Sequence, residues 1–118
     1  MSIPPTIEHL SHELAAGRTT AVALAEAALA RARDPAGEGA RVFTALGTER
    51  ALAAARASDL LRAAGVVRSP LEGIPVSIKD LFDVAGEVTT AGSAVLRGAA
   101  PDERNAPVVE RLIAAGAV

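Results

Sequence analysis

The texture of the chain changes at Gly65, and that change limits what it can fold into. Before Gly65, alanine and leucine recur at helical spacing with few breaks. After it, glycine, proline and β-branched residues take over, the residue types of turns and strands. This pattern predicts an α/β protein in two parts. Residues 1–65 form a helical N-terminal arm with one short strand. Residues 66–118 hold short strands and one helix.

In the arm, Thr6 is placed to cap a helix from Ile7 to Ala16, with Gly17 as its stop. Thr19 or Thr20 caps a second helix running to about Arg33, with Leu24, Ala28, Leu29 and Ala32 as its apolar stripe. Arg41 to Leu46 reads as a short strand. Thr48 caps a third helix, Glu49 to Ala64. Ala53, Ala57, Leu60 and Ala64 form its inner face, while Arg56, Asp59 and Arg62 face out. In the second part, Gly73-Ile-Pro75 leads into a compact strand, Val76 to Ile78. Val84 to Gly86 and Val88 to Thr90 suggest an extended pair around a tight turn. Asn105 caps a last helix, Ala106 to Ala115, on which Val108, Val109, Leu112 and Ile113 make the apolar stripe. Ala117-Val118 then reads as the opening of a further strand, the mark of a fragment of a longer chain.

Such a chain has little choice of core. It has two Phe and neither Tyr nor Trp among 118 residues, so Ala, Val, Leu and Ile must fill it, with helices in close approach. The net charge of −2 brings no basic stripe or aromatic platform, which argues against direct nucleic-acid binding. The absence of cysteine excludes disulfides, thiol catalysis and thiolate metal sites, and it fits a reducing cytoplasm. The longest apolar run, Ala21 to Ala30, is broken by Glu26 and too short to span a bilayer. The first residues lack the basic-then-apolar layout of a secretory signal. A cytoplasmic protein is therefore expected, with no membrane partner. His9 and His12 could share a helix face, but zinc wants three or four protein ligands and no other histidine exists. They read as surface histidines, not as a metal site.

Lys79 stands apart. It is the single lysine in a chain that otherwise uses arginine. Arginine stays charged, whereas a desolvated lysine can lose its proton and act as a base. Its apolar, strand-like setting suits an amine that must at times be neutral. It also suits a lysine that snorkels from a strand edge. Asp80 follows at once, where its carboxylate can hold the backbone of a turn. Ser77 is two residues away and would share a strand face with Lys79, as a small neighbour or as a local nucleophile. Asp80 and Asp83 suit turn and loop roles better than an acid/base pair. Thr89 and Ser93 are placed to order the loop by hydrogen bonds.

The second half resembles the amidase signature family. The matching residues are Pro70-Leu71-x-Gly73-Ile-Pro75, Lys79-Asp80 and Gly86-x-x-Thr89-Thr90-x-Gly92-Ser93. Ala106-Pro-Val-Val109, Arg111-Leu112 and Ala115-Gly-Ala-Val118 extend the match. The resemblance implies the N-terminal part of a mixed β-sheet covered by helices. It also implies that Lys79 is catalytic, as the base of a Ser-cisSer-Lys triad that hydrolyses a small carboxamide through an acyl-enzyme. No metal or organic cofactor is implied, and a homodimer is compatible with it. The Gly/Ser-rich stretch that carries both serines in that family is not in this sequence. None of Ser2, Ser11, Ser58, Ser69, Ser77 and Ser93 has that context. The 118 residues alone are therefore expected to be inactive. Within the resemblance, the A subunit of a tRNA-dependent amidotransferase is the alternative, although Leu81-Phe-Asp-Val-Ala-Gly86 looks more like a free-standing amidase. Outside it, the alternative is a small non-catalytic α/β binding protein.

Overall fold

The computed structural model describes residues 4–118, so Ser2 lies outside the described residues. In order come α1 (Ile7–Ala15), α2 (Ala21–Arg33), α3 (Gly39–Val42), α4 (Thr48–Ala63), a 3-10 turn (Ala94–Gly98) and α5 (Pro107–Ala114). The chain divides into two compact units. One comprises the residues up to Val76 together with Ala115–Val118, and the other is Ser77–Ala114.

The helical arm begins as the sequence signals say. The Thr6 hydroxyl accepts the His9 N–H, and Gly17 takes φ 68 just past the end of α1. The Thr20 hydroxyl accepts the Ala23 N–H at the start of α2. His9 and His12 are exposed, as expected of surface histidines.

The faces of the helices differ from the expectation. On α4 it is Ala55 and Ser58 that are buried, while Ala53, Ala57, Leu60 and Ala64 are exposed. Ala55 meets Ala21 and Ala25 of α2, with Val22, Leu52 and Val118 packed around them. Three alanines at the centre let two helices approach closely, which is the packing that a core poor in aromatics demands. Asp59 does not face out. Its carboxylate accepts the N–H groups of Ala21 at 2.8 Å and Val22 at 3.1 Å. A helix begins with four backbone donors that lack intrahelical partners. Thr20 and Asp59 together satisfy three of these on α2, and the negative charge also suits the positive end of the helix dipole.

The fold class needs correction. The described residues are helical and contain no strand and no sheet, so the α/β expectation fails for this chain. Arg41 to Leu46 is not a strand. Its first residues belong to α3, which the buried Gly39 allows to lie against α2; a methyl group there would sit 1.9 Å from the Ala32 carbonyl oxygen. The loop before it is closed by Asp34, which accepts the Ala36 N–H through its side chain and the Gly37 N–H through its carbonyl. Val76 to Ile78 is not a strand either. Residues 73–76 exchange only three backbone hydrogen bonds with residues 116–118: Gly73 to Gly116, Val118 to Ile74 and Val76 to Val118. β-Branched sequence favours extended backbone, but a strand requires a partner along its length.

The first unit closes over a buried ion pair. Glu72 is fully buried, and its carboxylate accepts from Arg68 Nε at 2.6 Å, Arg68 Nη2 at 2.7 Å and the Arg68 N–H at 3.1 Å. Arg62, expected to face out, is half-buried and donates to the Glu72 carbonyl at 3.0 Å. Gly116 covers the carboxylate so closely that a Cβ there would lie 2.4 Å from Glu72 Oε2. The guanidinium of Arg68 holds the Glu72 carboxyl down at about 2 against the opposing effect of burial; the nearby Ser58 hydroxyl helps, although it is not aligned as a full hydrogen bond.

Candidate active site

The second unit carries Lys79. Its side chain is exposed, and it stands at the head of a turn instead of inside an apolar strand. The Lys79 carbonyl accepts the Leu81 N–H at 2.7 Å and the Phe82 N–H at 3.1 Å. Asp80 does fasten a turn, and it reaches far along the chain to do so. Its carboxylate accepts the Thr90 N–H at 2.9 Å and the Thr90 hydroxyl. Those bonds, with a further one from the Ala91 backbone, hold the Asp80 carboxyl below the usual carboxylate range.

Thr89 makes the neighbouring brace. Its hydroxyl lies 2.9 Å from Asp83 Oδ1 and 2.7 Å from Asp102 Oδ2. With one proton to give, it donates to one carboxylate at a time. The backbone is tied at the same place by Gly86 N–H to the Asp102 carbonyl and Asp102 N–H to the Glu87 carbonyl, both 2.8 Å. The Glu87 N–H closes a tight turn on the Val84 carbonyl with Gly86 at φ 86. Val84 to Gly86, expected as one half of an extended pair, thus form the turn itself, and no strand occurs among the described residues. A second turn joins Thr90 to Ser93 and places Ala91 at φ 50 and Gly92 at φ 74. The Asn105 side chain, expected to cap α5, is turned to other partners. Its carbonyl oxygen accepts the Ala85 N–H at 2.8 Å, and its amide donates to the Glu110 carboxylate at 2.7 Å.

The structure thus brings together Lys79, Asp80, Thr89 and Thr90 in one braced loop. Ser77 is exposed, and no hydrogen bond joins it to Lys79 among the described residues. No cluster of three or more potential metal-binding His, Asp or Glu side chains occurs among the described residues. No described helix is long and apolar enough to cross a membrane. The sequence reading missed Asp102, whose partnership with Thr89 spans thirteen residues and leaves no local pattern.

The family model for Amidase matches residues 23–118, which include the Lys79 turn and both of its threonine braces. The chain belongs to the amidase signature family. The A subunit of the glutamyl-tRNA(Gln) amidotransferase of Chloroflexus aggregans is 50% identical over 115 residues, covering 96% of this chain and 23% of that protein. AtzE, from the 1-carboxybiuret hydrolase of a Pseudomonas species, is 45% identical over 105 residues, covering 89% and 23%. The peptide amidase of Stenotrophomonas maltophilia superposes with a TM-score of 0.83 at 36% identity, covering 95% of this chain and 23% of that one. The chain of this amidase-family member therefore spans about a quarter of the length of these relatives.

Proposed function

We propose that these residues belong to an amidase that hydrolyses a small carboxamide, with Lys79 as its general base. In this reading a serine hydroxyl attacks the carbonyl carbon while the neutral amine of Lys79 takes its proton through a bridging second serine. The amine leaving group then departs with a proton returned from Lys79. Water releases the acid from the acyl-enzyme by the same exchange. This reading needs two serines that none of the serines of these 118 residues supplies, so on this reading the 118 residues alone do not turn over a carboxamide. The observation that supports the reading most is the family match running through a lysine whose turn is held at both ends. The working place of such a protein is the cytoplasm, consistent with its lack of cysteine.

A second reading draws support from the 50% identity with the amidotransferase polypeptide. There the amide chemistry would serve a partner subunit by supplying ammonia. One experiment tests the base and another separates the readings. In the full-length protein, Lys79→Ala and Lys79→Arg should each lower kcat on a simple carboxamide by at least about a hundred-fold, the upper end of a general base's contribution being near 10⁴. Turnover unchanged in Lys79→Arg would end this reading. Co-purification with partner subunits would favour the amidotransferase, and a lone or homodimeric active enzyme would favour the free-standing amidase.

A further inference from the structure

We propose that Asp80 and Thr90 are positioning residues for the Lys79 amine, acting through the backbone of the turn and not by touching substrate. The proposal rests on Lys79 being the base. A lysine amine swings on a flexible four-carbon stem, so what the fold can fix is the origin and direction of that stem. Here that origin is held tightly. The Lys79 carbonyl receives two backbone N–H groups, from Leu81 and Phe82. The very next side chain, Asp80, holds Thr90, ten positions away, through both carboxylate oxygens. One of these bonds comes from the Thr90 backbone and the other from its hydroxyl, so the pair resists both sliding and rotation.

The far side of the clamp is itself fixed. Thr89 places its hydroxyl between Asp83 and Asp102. Ala91 is held at φ 50, a left-handed conformation that a non-glycine residue adopts only where its surroundings impose it. Ala91 and Gly92 are the central residues of the turn that the Ser93 N–H closes on the Thr90 carbonyl, so the backbone is fixed immediately after the residue that holds Asp80. A loop needed only for chain reversal has no use for so many constraints. A base that must meet a hydroxyl within hydrogen-bond reach does, because a misplacement of about 1 Å can cost about a hundred-fold in rate.

The test uses the full-length protein, a simple carboxamide and four variants beside Lys79→Ala. Asp80→Ala and Thr90→Val should lower kcat by about ten- to a hundred-fold, with KM within about three-fold of wild type. Asp80→Asn and Thr90→Ser should recover kcat to within about three-fold of wild type. The asparagine oxygen still accepts the Thr90 N–H, and its amide can donate to the hydroxyl. The acid limb of the pH profile of kcat/KM should move in Thr90→Val and return in Thr90→Ser, since that limb reports the base. Wild-type kcat and pH profile in Thr90→Val would overturn the proposal, and so would a change confined to KM. Should Asp80→Ala fail to fold, the Thr90→Val and Thr90→Ser pair decides by the same readouts. If Lys79→Ala retains turnover, the base assignment itself is wrong. If Lys79→Ala is inactive while Thr90→Val behaves as wild type, only the positioning role is wrong.

Discussion

Glu72 shows how much a single buried charge can depend on one neighbour. Its carboxylate is completely buried and takes three bonds from Arg68. Arg68 is the main cause that lowers its pKa from 4.5 to about 2, and burial works the other way. A carboxyl whose pKa is depressed by folding stabilises the protein above its unfolded value and loses that contribution as pH falls through the folded one. The window is therefore from about 4.5 down to about 2. At 1.36 kcal/mol per pH unit, the stake is about 3 kcal/mol. Urea unfolding followed by circular dichroism should show stability falling by about 2–3 kcal/mol across that window in the wild type, and by clearly less in Glu72→Gln. Equal acid sensitivity of the two proteins would refute the assignment. This pair was not legible beforehand: Arg68 precedes and Glu72 closes a turn, through the Glu72 N–H on the Ser69 carbonyl, and nothing in their spacing tells that one of them is buried. Asp80, by contrast, was legible as a turn-holding carboxylate, because short acidic side chains bond nearby backbone. Its partner Thr90 was visible only as part of a motif.

Helix ends were legible only in part: Thr6 and Thr20 cap as expected, whereas Thr48 lies inside α4 with its hydroxyl accepting from Arg33, and Asn105 turns to Ala85 and Glu110. Thr6, Thr20 and Gly17 act within one turn of the chain, so their chemistry is local and the sequence carries it. The face of α4 is a different matter. Alanine occurs at Ala51, Ala53, Ala54, Ala55, Ala57 and Ala63, on every side of the helix, so periodicity alone does not choose between faces. The choice falls to the partner: Ala55 and Ser58 are buried because α2 lies there and Asp59 caps it. The segment from Arg41 failed as a strand for a related reason, since Gly39 invites a close approach that no strand pattern announces. That approach gives a sharp prediction. Gly39→Ala sets a methyl group 1.9 Å from the Ala32 carbonyl oxygen and 2.8 Å from its Cα, both backbone atoms that cannot swing aside. The substitution should destabilise the protein by about 2–3 kcal/mol, the upper part of the range for overpacking, despite alanine's better helix propensity. A thermal midpoint equal to or above that of the wild type would show that α3 does not lie against α2.

The two compact units are stabilised by different means, and that difference can be measured. In the first, Leu14, Ala21, Ala25, Ala55 and Ile74 are buried, and Glu72 is locked to Arg68 beneath Gly116. In the second, Ser77–Ala114, Val109 is the buried side chain among the described residues, and Leu81, Phe82, Val95, Val108 and Ile113 are exposed. What orders the second unit is polar: Asp80 on Thr90, Thr89 between Asp83 and Asp102, Asn105 on Ala85. Hydrogen bonds contribute about 0.5–1.5 kcal/mol each in net terms, whereas burying a large apolar side chain contributes about 1.5–3 kcal/mol. Regions with few buried apolar contacts open first. Amide hydrogen exchange of the 118-residue chain should therefore show protection at least about ten-fold lower across Ser77–Ala114 than across α2 and α4. Within the second unit, the amides of Thr90 and Gly86 should be the slowest outside α5, because each donates to an acceptor that is itself fixed. Uniform protection across both units would mean that the polar braces stabilise as much as the alanine core does.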